Sequence, residues 1–224
     1  MDKKQFWENK ILNWEGSRYG NQDNSSELIS FFRKKTGSSL QYRMQATAEI
    51  LSPYLLGKRV LDVGCGSGIF FRNFLQNTDI EHYVGIDLSE SAINHAKDIS
   101  ANEGYSDKTT FLAENILNMA FPPFDIVVAL GVLDWLKEDE IDLLFKKLLP
   151  CKFLFSISEK RMSFARVLHS LYVNISYGWK TGQYVPRYYT VEQITKIARK
   201  NGCRNVQVFR DKRLEFGTLI YHLE

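Results

Sequence analysis

Cysteine is scarce in this 224-residue chain, and the three present (Cys65, Cys151, Cys203) stand far apart in no metal-ligand spacing. That pattern excludes a disulfide framework and suggests no zinc site. Long apolar runs are missing too: no stretch approaches the roughly twenty residues of a membrane-spanning helix. The opening Met1-Asp2-Lys3-Lys4 leads into charged, amphipathic sequence where a secretory signal would carry an apolar core, so a cytoplasmic location is expected. Charge of one sign is not in large excess. A net charge of +3 and a pI near 8.6 are too mild for a nucleic-acid binder, which concentrates basic residues in a stripe. Internal repeats and low-complexity linkers are absent as well. What is left is ordinary for a globular protein, 44% hydrophobic and 25% charged, and long enough to bury one sizeable core.

Against that background one stretch stands out, Val60-Leu61-Asp62-Val63-Gly64-Cys65-Gly66-Ser67-Gly68. Leu61 and Val63 flank Asp62 as in an interior strand, and three alternate glycines then strip the bend of side chains. Without Cβ atoms the backbone can turn through positive φ and approach a ligand closely. A helix-like run, Ile69 to Asn77, follows, so unpaired N–H groups and the positive end of its dipole face the turn. A dinucleotide fingerprint would need a third glycine where Ile69 stands. The acid at Asp62 would repel a pyrophosphate, but it suits a ligand carrying an ammonium group and a sulfonium.

This segment resembles the first motif of the class I S-adenosylmethionine-dependent methyltransferases. The resemblance runs from about Arg59 to Ser158 and more loosely into the C-terminus. It implies S-adenosylmethionine as cofactor, with Asp62, Gly64, Cys65, Gly66 and Gly68 around it and S-adenosylhomocysteine as product.

The rest of the pattern agrees. Strand-like runs occur at Arg59–Val63, His82–Asp87, Thr109–Ala113, Asp125–Leu130 and Lys152–Ser158. Helix-like runs occur at Ile69–Asn77, Ser89–Asn102 and Glu138–Leu149. Alternation of this kind argues a parallel sheet covered on both faces. Thr190 with Gln193 forms a capping box for a helix running to about Asn201. The runs Asn205–Arg210 and Phe216–His222 lie close enough to pair antiparallel. The expected fold is therefore α/β, a seven-stranded, mostly parallel, doubly wound sheet with a C-terminal antiparallel hairpin and an N-terminal helical cap. The cap spans residues 1–56 and the cofactor-binding domain 57–224. Within the cap, Asn24 and Glu27 read as a capping box for a helix that Gly37 ends, and a second helix covers Leu40 to Leu51. Phe6, Trp7 and Trp14 read as its anchors. The segment Glu159 to Tyr189 interrupts the alternation. Phe164, Leu168, Leu171, Tyr172 and Ile175 recur there at helical spacing ahead of an aromatic, basic loop. It reads as a lid over the carboxyl ends of the strands, where open α/β sheets bind ligands.

Asp87 ends the second strand 25 residues after Asp62, where a carboxylate accepts ribose hydroxyls. Capping of the next helix is the other reading, and Ser89 suits that better. The resemblance places Leu88 beside the ribose and adenine at Asn115 and Ile116. The amide oxygen of Asn115 accepts from the exocyclic amine, with Glu114 the alternative acid one residue away. It also places Leu130 and Gly131 beneath the methionine part. Asp134 is then the first candidate to orient the acceptor or take its proton, unless it only completes a helix N-terminus. His169 on the lid is a second candidate. From the cap, Arg43 matches the cofactor carboxylate and Tyr19 is the other polar group within reach, although both also read as exposed helix residues. Phe121-Pro122-Pro123-Phe124 lacks the hydrogen-bonding first residue of a nitrogen-methylating tetrapeptide and precedes the fourth strand, so it is a turn.

Methyl transfer needs little beyond in-line positioning of a nucleophile about 3 Å from the methyl carbon, and a base only when that nucleophile is protonated. The acceptor expected is a small molecule, methylated on O or N. Arg161, Arg166, Lys180 and Arg187 favour an anionic one. Neither nucleic acid nor membrane is an expected partner, and the expected state is a monomer or homodimer. Aminopropyl transfer would want an acidic pocket, which the basic lid opposes. An RNA methyltransferase would want a basic stripe. A cofactor-binding regulatory protein without chemistry stays open, since no residue is uniquely catalytic.

Overall fold

The computed structural model describes residues 3–12, 15–16, 27–119, 124–148, 152–160, 186–215 and 217–224, with the backbone alone over 27–36. Helix α1 (Lys3–Glu8) and helix α2 (Glu27–Leu51) precede β1 (Arg59–Val63). Then come β2 (His82–Asp87), α3 (Glu90–Asn102), β3 (Thr109–Ala113), β4 (Ile126–Leu130), α4 (Glu138–Leu148) and β5 (Lys152–Ser158). Helix α5 (Val191–Lys200), β6 (Gln207–Phe209) and β7 (Gly217–His222) complete the chain.

The seven strands form one sheet in the order β3-β2-β1-β4-β5-β7-β6. Strand β1 pairs in parallel with both β2 and β4, Asp62 standing beside Gly85 on one side and Val128 on the other. Only β7 runs against the rest, antiparallel to β5 and to β6. The chain therefore winds outward from β1 in one direction, returns, and winds out again from β4. That reversal opens a crevice at the carboxyl ends of β1 and β4.

Side chains alternate across the sheet and supply a core on each face. Leu61, Val63, Ile86, Val127, Phe153 and Phe155 meet one layer, into which α4 brings Ile141, Leu144, Phe145 and Leu148. That spacing is one helical stripe. Val60, Tyr83, Ile126, Val128 and Leu154 meet the other layer, with Met44 and Leu51 of α2 and Ile93 and Ala96 of α3. Capping follows the local sequence: Ser89 Oγ accepts the Ala92 N–H ahead of α3, and Thr190 and Gln193 complete the reciprocal box of α5. The stretch after the glycine turn is helical but underwound at Phe71–Leu75, a π-turn in which Gln76 N–H reaches Phe71 O at 2.9 Å.

One expectation fails. Gly37 does not end a helix; α2 runs unbroken for 25 residues through it. A glycine inside a helix costs about 1 kcal/mol relative to alanine. Burial of Met44, Ala46, Thr47 and Leu51 against the sheet outweighs that cost. The helix gives way at Ser52–Tyr54, a 3₁₀ turn with Pro53 in its first positions. Among the described residues no helix is long and apolar enough to cross a membrane.

Candidate cofactor and acceptor site

A cavity of about 320 Å³ occupies the crevice at the ends of β1 and β4. One part of its wall is the glycine turn with Asp62, Asp87, Leu88, Asn115 and Ile116. Trp7, Leu40, Met44, Leu130, Gly131 and Trp135 also line it. Most residues singled out in the sequence thus converge on one space, although they come from five separate stretches.

The turn is built as the glycines require. Gly64 and Gly66 have φ of 73° and 54°, the left-handed region that L side chains avoid. The Gly64 and Cys65 N–H groups both bond Ile86 O (2.7 and 3.1 Å), fastening the bend to the end of β2. Asp87 then accepts from Gly66 N–H (3.0 Å) and from Ser89 N–H (2.9 Å). Ser89, not Asp87, provides the N-cap of α3. Gly68 lies off the cavity: a Cβ there would meet the Phe111 ring at 3.1 Å.

Asp62 is buried beneath the turn and accepts one hydrogen bond of 2.5 Å, from the Tyr83 hydroxyl. Burial pushes its carboxyl up to about 7, Tyr83 pulling it down and Asp87 adding to the rise. Burial likewise raises Asp87, against the N–H groups of Ser89, Gly66 and Leu88. Asn115 Oδ1 receives the Leu117 N–H (3.0 Å), a local turn that still leaves one lone pair for a ligand.

Asp134 is buried, and each of its carboxylate oxygens is bonded to Ser158, one by N–H and one by Oγ, at 2.8 Å. Its carbonyl accepts the Arg187 N–H at 2.6 Å. Asp134 therefore ties the ends of β4 and β5 to the chain at Arg187. Tyr189 reinforces that tie, donating to Leu136 O at 2.5 Å. Burial raises Asp134, with Ser158 and Arg43 opposing. The Arg43 guanidinium lies against Gly131, where a Cβ would meet Nη1 at 3.2 Å. Its Nε is buried without a hydrogen-bond partner.

Phe6 and Trp7 read as anchors in the sequence, whereas nothing there singles out Trp135, Glu8 and Glu15. Trp135 packs edge-on against Trp7 at 4.9 Å, and Phe6, buried as an anchor should be, lies 5.7 Å from Trp135. Glu8 accepts from Glu90 N–H (2.7 Å) and Ser91 N–H (3.0 Å), pinning α1 to the start of α3. Glu15 reaches the glycine turn itself, where its Oε1 accepts the Ser67 N–H at 3.1 Å. Tyr19, Trp14, His169 and residues 161–185 lie outside the described residues, as does the Pro-Pro turn apart from Phe124.

Sheet order, reversed seventh strand and a glycine-gated crevice define the Rossmann-like methyltransferase class of fold. A family model described as a methyltransferase domain matches residues 60–151. Through that stretch, about two fifths of the chain, it is similar to S-adenosylmethionine-dependent methyltransferases. The chain is similar to protein arginine N-methyltransferase 1 of Saccharomyces cerevisiae, 39% identical over 74 residues, covering 32% of this chain and 21% of the relative. It is 35% identical over 81 residues to the ubiquinone biosynthesis O-methyltransferase of Hahella chejuensis, covering 36% of this chain and 33% of the relative. The solved structure of magnesium protoporphyrin IX methyltransferase from Synechocystis PCC 6803, with bound S-adenosylhomocysteine, shares the fold. It superposes with a TM-score of 0.74 at 18% identity, over 97% of this chain and 96% of that one. The chain spans about a fifth of the length of the first curated relatives it matches.

Proposed function

We propose that this protein moves a methyl group from S-adenosylmethionine to an O or N atom of a small, anionic acceptor by in-line displacement. The observation carrying this reading is that the crevice cavity is lined by opposed polar groups still in want of partners. Among the described residues, a carboxylate oxygen of Glu15 and Nε of Arg43 are buried without hydrogen-bond partners, in a cavity whose glycines leave the backbone bare. A molecule bearing hydroxyls, an ammonium and a carboxylate fits that set. When bound, the cofactor supplies a methyl group already activated on a sulfonium.

The chain's part is to hold and orient. Asp87 receives ribose hydroxyl hydrogen bonds while its own N–H partners keep it in place. Asp62 faces the ammonium, and its carboxyl, poised near neutrality by burial, ionises as that charge arrives. Arg43 takes the carboxylate over the bare backbone of Gly131. Asn115 and Ile116 meet the adenine edge. On the acceptor side, Trp7, Trp135, Leu40 and Met44 make an apolar wall that excludes water. Lys10, which also lines the cavity, favours an anion, whereas Lys3 is engaged in an ion pair with Glu140 at 2.6 Å. Asp134 and Ser158 fix the floor between β4 and β5, so Asp134 orients through the lattice it anchors. The segment Glu159–Tyr189, rooted at Asp134 and Leu136, closes over the acceptor, and residues 1–56 act as the cap.

Calorimetry with S-adenosylmethionine and S-adenosylhomocysteine tests the first half, with NAD as the control. Mass spectrometry of metabolite pools incubated with methyl-labelled cofactor tests the second. Binding of NAD in preference to either adenosyl ligand would end this reading. Labelling of RNA or protein and no small molecule would end the acceptor assignment.

A further inference from the structure

Two consecutive amides of the glycine turn hold carboxylates from different parts of the chain. Gly66 N–H bonds Asp87 Oδ2 at 3.0 Å, and Ser67 N–H bonds Glu15 Oε1 at 3.1 Å. Asp87 belongs to the sheet. Glu15 belongs to the segment that α1 begins, which a second carboxylate, Glu8, pins to α3. Glu15 is only 7% exposed, it lines the cavity, and its Oε2 has no hydrogen-bond partner among the described residues. A side chain at Gly66 would overlap its Oε1.

An unpaired buried carboxylate oxygen is costly to leave unsatisfied. Burial foremost, and then the Asp87 charge, lift its carboxyl above the usual range, with Ser67 and Arg72 opposing. A donor from the ligand would relieve this. The charges facing Glu15 are Asp87 and Arg72, whereas Asp62 lies beneath the turn with Tyr83. The group this position fits is therefore the one Asp87 serves, a pair of adjacent hydroxyls, each donating to its own acid.

We infer that Glu15 is a second carboxylate of the ribose site, carried in by the N-terminal segment, so that the cofactor's vicinal diol is held between Glu15 and Asp87. The assignment rests on the methyltransferase reading above. Cofactor binding and docking of the N-terminal segment are then one event, because a ligand hydroxyl bonds both the sheet and the segment that covers it.

The test is calorimetry with S-adenosylhomocysteine and its 2′-deoxy and 3′-deoxy analogues, on wild type, Glu15→Ala, Glu15→Gln and Glu8→Ala. Glu15→Ala should weaken S-adenosylhomocysteine about ten- to hundredfold, the loss of a hydrogen bond to a charged group. The loss should shrink to about twofold on the analogue missing the hydroxyl that Glu15 receives. Glu15→Gln, which keeps an accepting oxygen and the side-chain shape, should fall between. Glu8→Ala loosens the segment without touching the ligand, so it should weaken all three ligands by one common factor. Wild-type affinity in Glu15→Ala would overturn the inference and leave the methyltransferase reading standing. So would an equal loss on all three ligands, which marks Glu15 as packing only. Failure of wild type to bind S-adenosylhomocysteine would overturn both.

Discussion

Removing the Tyr83 hydroxyl is the sharpest perturbation the site offers. Tyr83 is fully buried, and its ring packs against Phe71 at 4.8 Å and Phe111 at 5.9 Å. Tyr83→Phe keeps that packing and deletes the one donor to Asp62 among the described residues. A hydrogen bond to a charged acceptor contributes about 1.5–3 kcal/mol, and a neutral one about 0.5–1.5 kcal/mol. Asp62 has its folded carboxyl at about 7, above the ordinary 3.8. Its protonation therefore favours the native state at low pH, and that advantage is lost as pH rises through about 7. Without Tyr83 the ionised form loses more than the neutral one, so the folded value climbs by about one unit, at 1.36 kcal/mol per unit. Urea denaturation at fixed steps from pH 5 to 9 reads this without any ligand. The variant should lie a modest, constant amount below wild type up to about pH 6.5. The gap should then widen by about 1 kcal/mol above pH 8. A gap that stays flat from pH 5 to 9, or narrows, would refute the claim that Tyr83 stabilises the charged form of Asp62.

Gly66→Val should abolish binding of S-adenosylhomocysteine in calorimetry, because valine must adopt a φ of 54° and displace Glu15 from the turn. Asp87→Ala should weaken the same ligand by roughly 1.5–3 kcal/mol; an unchanged dissociation constant would confine Asp87 to fastening Gly66 and Ser89. Ser158→Ala removes the hydroxyl on Asp134 and leaves the N–H bond in place. It should cost about 1–3 kcal/mol in urea melts, and an unaltered midpoint would show that Asp134 does not need that partner.

The features legible in the amino-acid sequence were those written in neighbouring residues. The capping box at Thr190 and Gln193, the Ser89 cap, the stripe on α4 and the glycine turn all lie within a few positions of themselves along the chain. Backbone preference and side-chain period decide such features locally. The parallel sheet could be anticipated in the same way from the alternation of strand and helix, whereas the order of its strands came from the folded chain. Gly37 shows the limit of local rules: its neighbours announce a helix end, and packing of the distal half of α2 on the sheet overrules them.

The candidate site divides along the same line. The chain's own order placed Asp62, Gly64, Gly66 and Asp87 together, because parallel strands joined by a crossover bring their carboxyl ends to one edge. It also marked Arg43 as a group able to reach the cofactor. Only the folded chain joined Tyr83 to Asp62 and Ser158 to Asp134, pairs 21 and 24 residues apart. Only the folded chain brought Glu15 across 52 residues to the Ser67 amide. A solitary glutamate beside Gly16 carries no period, cap or turn signature. What selects it is the space left over Gly66 and an N–H group that needed an acceptor, and neither exists until the sheet and the N-terminal segment have met.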